Sequence, residues 1–538
     1  MNKKNLLLVL VVFVALVVGL FLGNLLANRS QIRNNPALKG FFSGEGSNKL
    51  DEVLSMIDAQ YVDTVDVSEL TEEMMTDLIA KLDPHSVYIP ASDLENVNSE
   101  LEGSFSGIGV QFNIQNDTIM IVSVISGGPS ERVGLQAGDR IVLVNDTTFT
   151  GKKVTNEKVM KKLRGPAQSK VKLGVKRNGT KELLKYTVTR GQIPVNSVDV
   201  AYMIEPGVGF IKVSKFAATT YKEFLDAIAD LRAKGAKRYI IDLRENSGGF
   251  MDQAIKMVNE FLPANQLIVY SQGKAYSRFE AKADGKGSCI GLPVVVLLDE
   301  FSASASEIFA GAIQDNDRGL IVGRRSFGKG LVQQQYDLSD GSAIRLTVAR
   351  YYTPSGRSIQ KPYTKGKAED YEKDLLNRYI HGEFDNKDSI RVADSLKYKT
   401  LKGRTVYGGG GIMPDYFVPR DTSEYTPYLN KVVNYGYLYQ FAFQYTDQNR
   451  KKLNSFNNWK ALEAYLATQD ILSQFTVFAN TKGVKPVPRD IAISKRLITN
   501  QIESYISRNI LGDPGFYPLF YKYDKTVNKA IELVKHQK

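Results

Sequence analysis

Hydrophobic and polar positions change rhythm several times along the chain, and each rhythm predicts a different element. After Lys3 and Lys4, residues 6–23 are uninterruptedly apolar, and the run resumes past Asn24 through Leu25, Leu26 and Ala27. About 20 residues at ~1.5 Å each span a bilayer core of ~30 Å. A cleavable signal peptide has a shorter apolar stretch, ~7 to 15 residues, closed by a small-x-small site. Here the best cut, after Ala27 with Leu25 two positions before it, is poor. Residues 1–30 are therefore expected to be an uncleaved signal anchor, placing the protein in the cell membrane as a single-pass chain with its bulk in the periplasm or outside the cell. No cysteine directly follows the run, which argues against a lipoprotein anchor. Residues 31–48, polar with Gly and Ser, read as a linker.

The strings LDEVLSMIDAQYV and VSELTEEMMTDLIAKL carry apolar residues at helical spacing and predict two helices across 49–81, ending at Asp83-Pro84, within an N-terminal helical region of 49–95. Residues 103–190 have a period of two, broken by glycine turns, which predicts strands such as 119–125 and 171–176 in a mainly β module. After Pro194, strands (208–213, 239–243, 294–298) alternate with helices (221–234, 251–262, 304–315), the order of an α/β layer. From residue 426 Tyr- and Lys-rich stretches read as helices without a catalytic motif, a packing or partner-binding extension over 421–538.

The β-rich stretch resembles a PDZ domain, assigned to 96–192. Gly107, Ile108, Gly109 and Val110 look like its carboxylate-binding loop, and residues 134–139, GLQAGD, like its helix-to-strand signature. Main-chain N–H groups of such a loop can nest a peptide's terminal carboxylate while the next strand edge pairs with the peptide. A Gly-Ile-Gly string alone is more commonly a plain β-turn.

Composition narrows the chemistry. With 43% hydrophobic and 24% charged residues the 538-residue chain is globular, sized for three or four domains. Cys289 is alone, so no intramolecular disulfide framework exists, and three histidines beside it offer little for zinc. A net charge of +12 is a modest excess for this length, read as a solvated basic surface and not as nucleic-acid binding.

Three windows could carry a reaction. In VVVLLDEFSASASEIFAGAIQD a strand runs through a turn into a helix, so that one of Ser302, Ser304 and Ser306 lies where orphan N–H groups favour developing negative charge. Ser304 followed by Glu307 is also a plain capping box. GRRSFGKG, residues 323–330, nearly matches a phosphate loop, but Gly330 replaces the hydroxyl residue and strands follow. A lysine between two glycines, if buried, loses its proton more readily and can activate a serine. Last, DLRENSGG, residues 242–249, ends a buried-looking strand in two glycines whose N–H groups can face a substrate oxygen.

Together these windows resemble the carboxy-terminal processing peptidases, or tail-specific proteases, in the family's order from about residue 50 to 420. The matching strings are LDPHSVYI (82–89), the PDZ stretch, DLRENSGG, FSASASEIFAGAIQD (301–315), GRRSFGKGLVQ (323–333), YYTPSGRSIQ (351–360) and GGGIMPD (409–415). The resemblance implies a crotonase- or ClpP-like α/β peptidase core over 193–420 with the PDZ domain inserted, N-terminal helices and a helical C-terminal extension. It implies a serine endopeptidase that cleaves envelope proteins near their C-termini, with Ser304 as nucleophile, Lys329 as general base and Gln333 orienting that lysine. It further implies an oxyanion hole from Ala305 with Gly248 or Gly249, a tail-coupling Arg164, and no cofactor or metal. His85 lies in the DPHS string, taken as structural, which leaves no Ser-His pair near Ser304. Protein C-termini are the expected partners, and a homodimer could use the N-terminal helices or the extension. A catalytically silent PDZ scaffold and a coenzyme A thioester enzyme on the same core are the rival readings.

Overall fold

The computed structural model describes residues 45–537 apart from Asn116, Ser126 and Asn178. The chain divides into two compact units, residues 1–79 and 80–538. In the first, helices Glu45–Gln60 and Val67–Ala80 occupy the stretch where apolar spacing predicts them, the first beginning inside the expected linker. The apolar run of residues 6–27 and linker residues 31–44 lie outside the described residues. Among the described residues no helix is long and apolar enough to cross a membrane. The expected single-pass membrane placement is corrected accordingly.

In the second unit the Val294–Leu298 strand explains the main architecture. All five of its residues are buried, and they alternate between two cores. Val294, Val296 and Leu298 face one that includes Phe224, Met257 and Phe309 from helices Thr220–Ala233, Met251–Asn259 and Ala305–Asp315. Val295 and Leu297 face the other, with Phe210, Ile240, Val322, Val527, Ala530 and Val534. A strand covered on both faces needs no polar face, which is why it reads as a continuous apolar run. The sheet has six strands in the order Val198–Glu205, Val208–Val213, Arg238–Asp242, Val294–Leu298, Leu320–Gly323 and Tyr416–Phe417. The first pair is antiparallel and the remaining neighbours are parallel. The second face is covered by the C-terminal helix Lys525–His536, so part of the extension is a layer of this sheet.

An antiparallel sheet stands beside it, in which Leu331–Asp337 and Ala343–Tyr352 form a hairpin. Val87–Ile89 pairs with the second hairpin strand, Tyr88 opposite Ile344, and brings the DPHS string to it. Between residues 104 and 194, strands Val110–Gln115, Thr118–Val124, Arg140–Val144, Lys170–Lys176 and Leu184–Thr189 make an antiparallel sheet around Ile119, Ile121, Ile141, Val171 and Val188. Its two ends are tied by Ser104–Gly107 against Gly191–Pro194, so this module leaves and re-enters the chain at one place. Helices between residues 427 and 511 pack around a separate core that includes Leu429, Phe441, Phe475 and Ile502.

Candidate active site

The strand Val294–Leu298 ends at the turn carrying the three serines. Ser302 and Ser306 are fully buried and committed: Ser302 Oγ donates to the Leu243 carbonyl and Ser306 Oγ to that of Asn246, both at 2.8 Å. Ser304 is half-buried and closes a capping box with Glu307 at the helix start, and among the described residues its hydroxyl donates to no acceptor. Its backbone sits at φ 56°, ψ −111°, a conformation costing an L-residue of order 1–3 kcal/mol that persists only where the surroundings hold it.

Glu307 supplies much of that hold. Fully buried, its carboxylate accepts from Ser304 N–H (2.9 Å), Lys329 N–H (2.8 Å), Gly328 N–H (2.8 Å) and Ser326 Oγ (2.5 Å). One oxygen, Oε2, takes both the Ser304 and the Lys329 N–H, so the two segments lie within two hydrogen-bond lengths of each other. The N–H groups that a phosphate loop would offer to a ligand are thus partly occupied by an internal carboxylate. Burial pushes the Glu307 carboxyl up to about 7, against the opposing pull of these donors. Tyr351, also fully buried, places its hydroxyl 3.0 Å from the Ser304 carbonyl and 2.5 Å from that of Lys329, a second tie between the same segments.

The Lys329 amine is lowered from the ordinary lysine value, first by burial and then by the positive charge of Arg345, with Asp83 and Glu307 pulling the other way. Its amine donates to Gln333 Oε1 at 2.9 Å, and Gln333 Nε2 donates to the main-chain oxygen of His85. Among the described residues the Ser304 hydroxyl and the Lys329 amine share no hydrogen bond.

The glycine turn lies against the serine. Asn246 fixes it: Nδ2 donates to the Val213 carbonyl and Oδ1 accepts the Gly248 N–H, both at 2.9 Å, while its own carbonyl accepts from Ala303 N–H at 3.0 Å. Gly248 has φ +107°, and a Cβ there would stand 2.7 Å from Ser304 Cβ. Its N–H is spent on Asn246. Those of Gly249 and Ala305 have no acceptor among the described residues, which leaves these two free for an oxyanion.

The PDZ-like module gives a split result. Gly109 has φ +76° beside Ile193, and the carbonyls of Ile108 and Gly109 accept from Ser130 and Ile125 N–H at 2.9 and 3.1 Å. Ile108 is buried in the module's core and Val110 opens a strand paired with Val124. Arg164 stacks over the Phe105 ring at 4.3 Å and donates to Asn96 Oδ1 at 3.1 Å. It lines a cleft of about 970 Å³ between helix Ala91–Glu102 and the module, with Phe105 and Met160; Gly107 to Val110 are not among the lining residues. Sequence reasoning missed Glu307 and Tyr351 as parts of the site: the S-x-x-E spacing read as a helix cap, and Tyr351 lay unremarked in YYTPSGRSIQ.

Comparison with known proteins follows the same division. Residues 207–372 match the model of peptidase family S41, residues 106–188 that of the PDZ domain, and residues 428–512 a family of unknown function. The carboxy-terminal-processing protease of Bartonella bacilliformis is 35% identical over 323 residues, 58% of this chain and 72% of that protein. The carboxy-terminal processing protease CtpA of Bacillus subtilis is 35% identical over 404 residues, 73% of this chain and 84% of that one. A solved photosystem II D1 C-terminal processing protease is 29% identical, with 58% of this chain and 84% of the other covered and a TM-score of 0.33.

Proposed function

The chain belongs to peptidase family S41 as a carboxy-terminal processing serine peptidase, and from that premise we propose that it works through a Ser304–Lys329 dyad on protein tails delivered by its PDZ domain. We read residues 96–192 as that domain, 193–420 as a crotonase- or ClpP-like core and 421–538 as the helical extension. The observation that carries the dyad is the serine turn: of its three hydroxyls only that of Ser304 donates to no acceptor among the described residues, and Glu307 ties its main chain to that of Lys329.

In this reading neutral Lys329 takes the proton of Ser304 Oγ as the oxygen attacks the scissile carbonyl carbon. The tetrahedral oxyanion accepts from the N–H groups of Ala305 and Gly249, each such donor being worth roughly 3 to 4 kcal/mol in comparable sites. Collapse breaks the C–N bond, and the lysine ammonium returns its proton to the leaving amine. Water, deprotonated by Lys329 in turn, hydrolyses the acyl-serine. Gln333 holds one Lys329 N–H and so fixes the amine's position. A substrate's terminal carboxylate and apolar last residues would bind the Gly107–Val110 loop and the adjoining strand edge, with Arg164 reporting occupancy.

The test compares the full chain with Ser304→Ala and Lys329→Ala on an unfolded polypeptide ending in either apolar or charged residues. Cleavage by the unsubstituted chain alone, faster on the apolar tail, is the expected result. Equal cutting by Ser304→Ala would remove the nucleophile assignment, and tail binding without cutting by all three would favour a silent scaffold.

A further inference from the structure

The DPHS string and the Gln of YYTPSGRSIQ have no part in the chemistry above, yet the first leads through Gln333 to Lys329 and the second to its neighbour Gly330. Gly330 N–H donates to Gln360 Oε1 at 2.8 Å, and Gln360 Nε2 reaches the Lys361 carbonyl at 2.9 Å and the Tyr371 hydroxyl at 3.2 Å. The Tyr371 hydroxyl lies 2.8 Å from His85 Nε2, with the two rings edge to face at 5.0 Å. From His85 the path continues through its main-chain oxygen to Gln333 Nε2, and from Gln333 Oε1 to Lys329 Nζ at 2.9 Å. The chain of contacts closes on itself, since Lys329 and Gly330 are neighbours.

Main-chain groups set the direction of the bonds made by the two glutamines. Gly330 N–H can only donate and the Lys361 carbonyl can only accept, so the Gln360 oxygen faces the first and its amine the second. That amine gives its other proton to the Tyr371 oxygen. Between Tyr371 and His85 Nε2 the direction follows the imidazole tautomer, a neutral Nδ1–H ring receiving the Tyr371 proton. The same logic turns the Gln333 amine to the His85 carbonyl and its oxygen to Lys329. The backbone end is equally fixed: Asp83 accepts from His85 N–H at 2.8 Å, Ser86 Oγ at 2.6 Å and Thr347 Oγ1 at 3.1 Å, bolting the turn to the Ala343–Tyr352 strand. Burial and the nearby Lys329 and Lys361 charges, outweighing Asp83, hold His85 down to about 4, consistent with a neutral ring.

We propose that His85 is a neutral Nδ1–H imidazole and that it, Gln360 and Tyr371 are positioning residues: with Gln333 they form a closed hydrogen-bonded circuit that holds one Lys329 N–H and so limits where its lone pair points. This rests on the reading of Lys329 as the base. None of the three touches the reacting atoms.

The circuit is tested on the full chain labelled with ¹⁵N-histidine, which carries three histidines, the His85 signal being assigned by its loss in His85→Gln. The expected result is a neutral Nδ1–H tautomer that persists well below pH 6.5, where a free histidine is about half protonated. In Gln360→Glu a carboxylate cannot donate, so Tyr371 turns its proton away and the His85 signal shifts and titrates closer to 6.5. Tyr371→Phe keeps the ring packing, and its expected effect is a fall of about tenfold in kcat with KM within twofold and an unchanged melting temperature. An Nε2–H tautomer in the unsubstituted chain, or a Tyr371→Phe protein with full kcat, would overturn the proposal. Retained activity in Lys329→Ala would instead sink the base assignment, while the His85 signature would still report whether the circuit forms.

Discussion

Glu307 concentrates the energetics of the site in one buried carboxylate with four donors. Replacing it by glutamine removes the charge and points an N–H at groups that are themselves donors. Glu307→Gln is expected to cost about 2 to 4 kcal/mol of folding stability in a urea melt. Hydrolysis should fall at least tenfold, because Ser304 and Lys329 lose their shared acceptor. Lys329 acts in the opposite sense. Its folded pKa is lowered, so between that value and 10.5 the unfolded chain binds the extra proton and stability falls as pH falls. Lys329→Met should therefore melt higher than the unsubstituted protein at pH 7, the gap narrowing as pH approaches 10. The same lowered value predicts kcat/KM rising with pH to a plateau below the ordinary lysine range. Which hydroxyl lacks an acceptor was not legible from local spacing. Ser302 and Ser306 are tied to carbonyls of Leu243 and Asn246, some 60 residues away in the chain.

At the scale of elements, the two turns meet at a distance that only glycine permits. Gly248→Ala would put a methyl 2.7 Å from Ser304 Cβ and 3.0 Å from Ala305 N at φ +107°, with no flexible side chain to give way. Strain and overpacking together should cost roughly 2 to 5 kcal/mol and abolish hydrolysis. Gly207→Ala is the control, since φ is +79° there but nothing lies within 4 Å. Thermal melts and a peptide-cleavage assay would show both variants destabilised and only the first inactive. Periodicity served well where an element has one apolar face or two: Val208–Val213, Val294–Leu298 and the Leu331–Tyr352 hairpin lie where it places them. Helix Ala91–Glu102 went unnoticed because ASDLENVNSELE is polar; its end is held from far along the chain, by Ala218 N–H donating to the Leu101 carbonyl at 2.9 Å.

For the whole molecule, the extension is bound into the peptidase layer. Arg244, in the strand-to-turn segment that leads to Gly248, is gripped by Asp242 (3.0 and 2.8 Å) and by Asp524 of the extension at 2.7 Å, and stacks over Tyr521 at 4.9 Å. Asp524→Asn keeps an acceptor for Val527 N–H at the helix start while removing the charge. It should lower stability by about 1 to 2 kcal/mol, Arg244 retaining Asp242, as read from denaturant unfolding. Ending the chain at residue 420 would uncover Phe210, Ile240, Val295, Leu297 and Val322 together. Such a truncation is expected to aggregate rather than yield a smaller active enzyme, which size-exclusion chromatography would reveal.

What the sequence alone determined is what neighbouring residues decide among themselves: helix or strand from a period of 3.6 or 2, turns from glycine, and the order of strings that marks the family. Tertiary structure alone decided which hydroxyl has no acceptor, which glycine N–H remains free, that Glu307 joins the serine and lysine segments, and that the last helix covers the sheet. The physical reason is range. Periodicity is written over a few residues, whereas a hydrogen bond's acceptor or a sheet's second cover can come from anywhere in the chain, as Gln333 meets His85 and Arg244 meets Asp524.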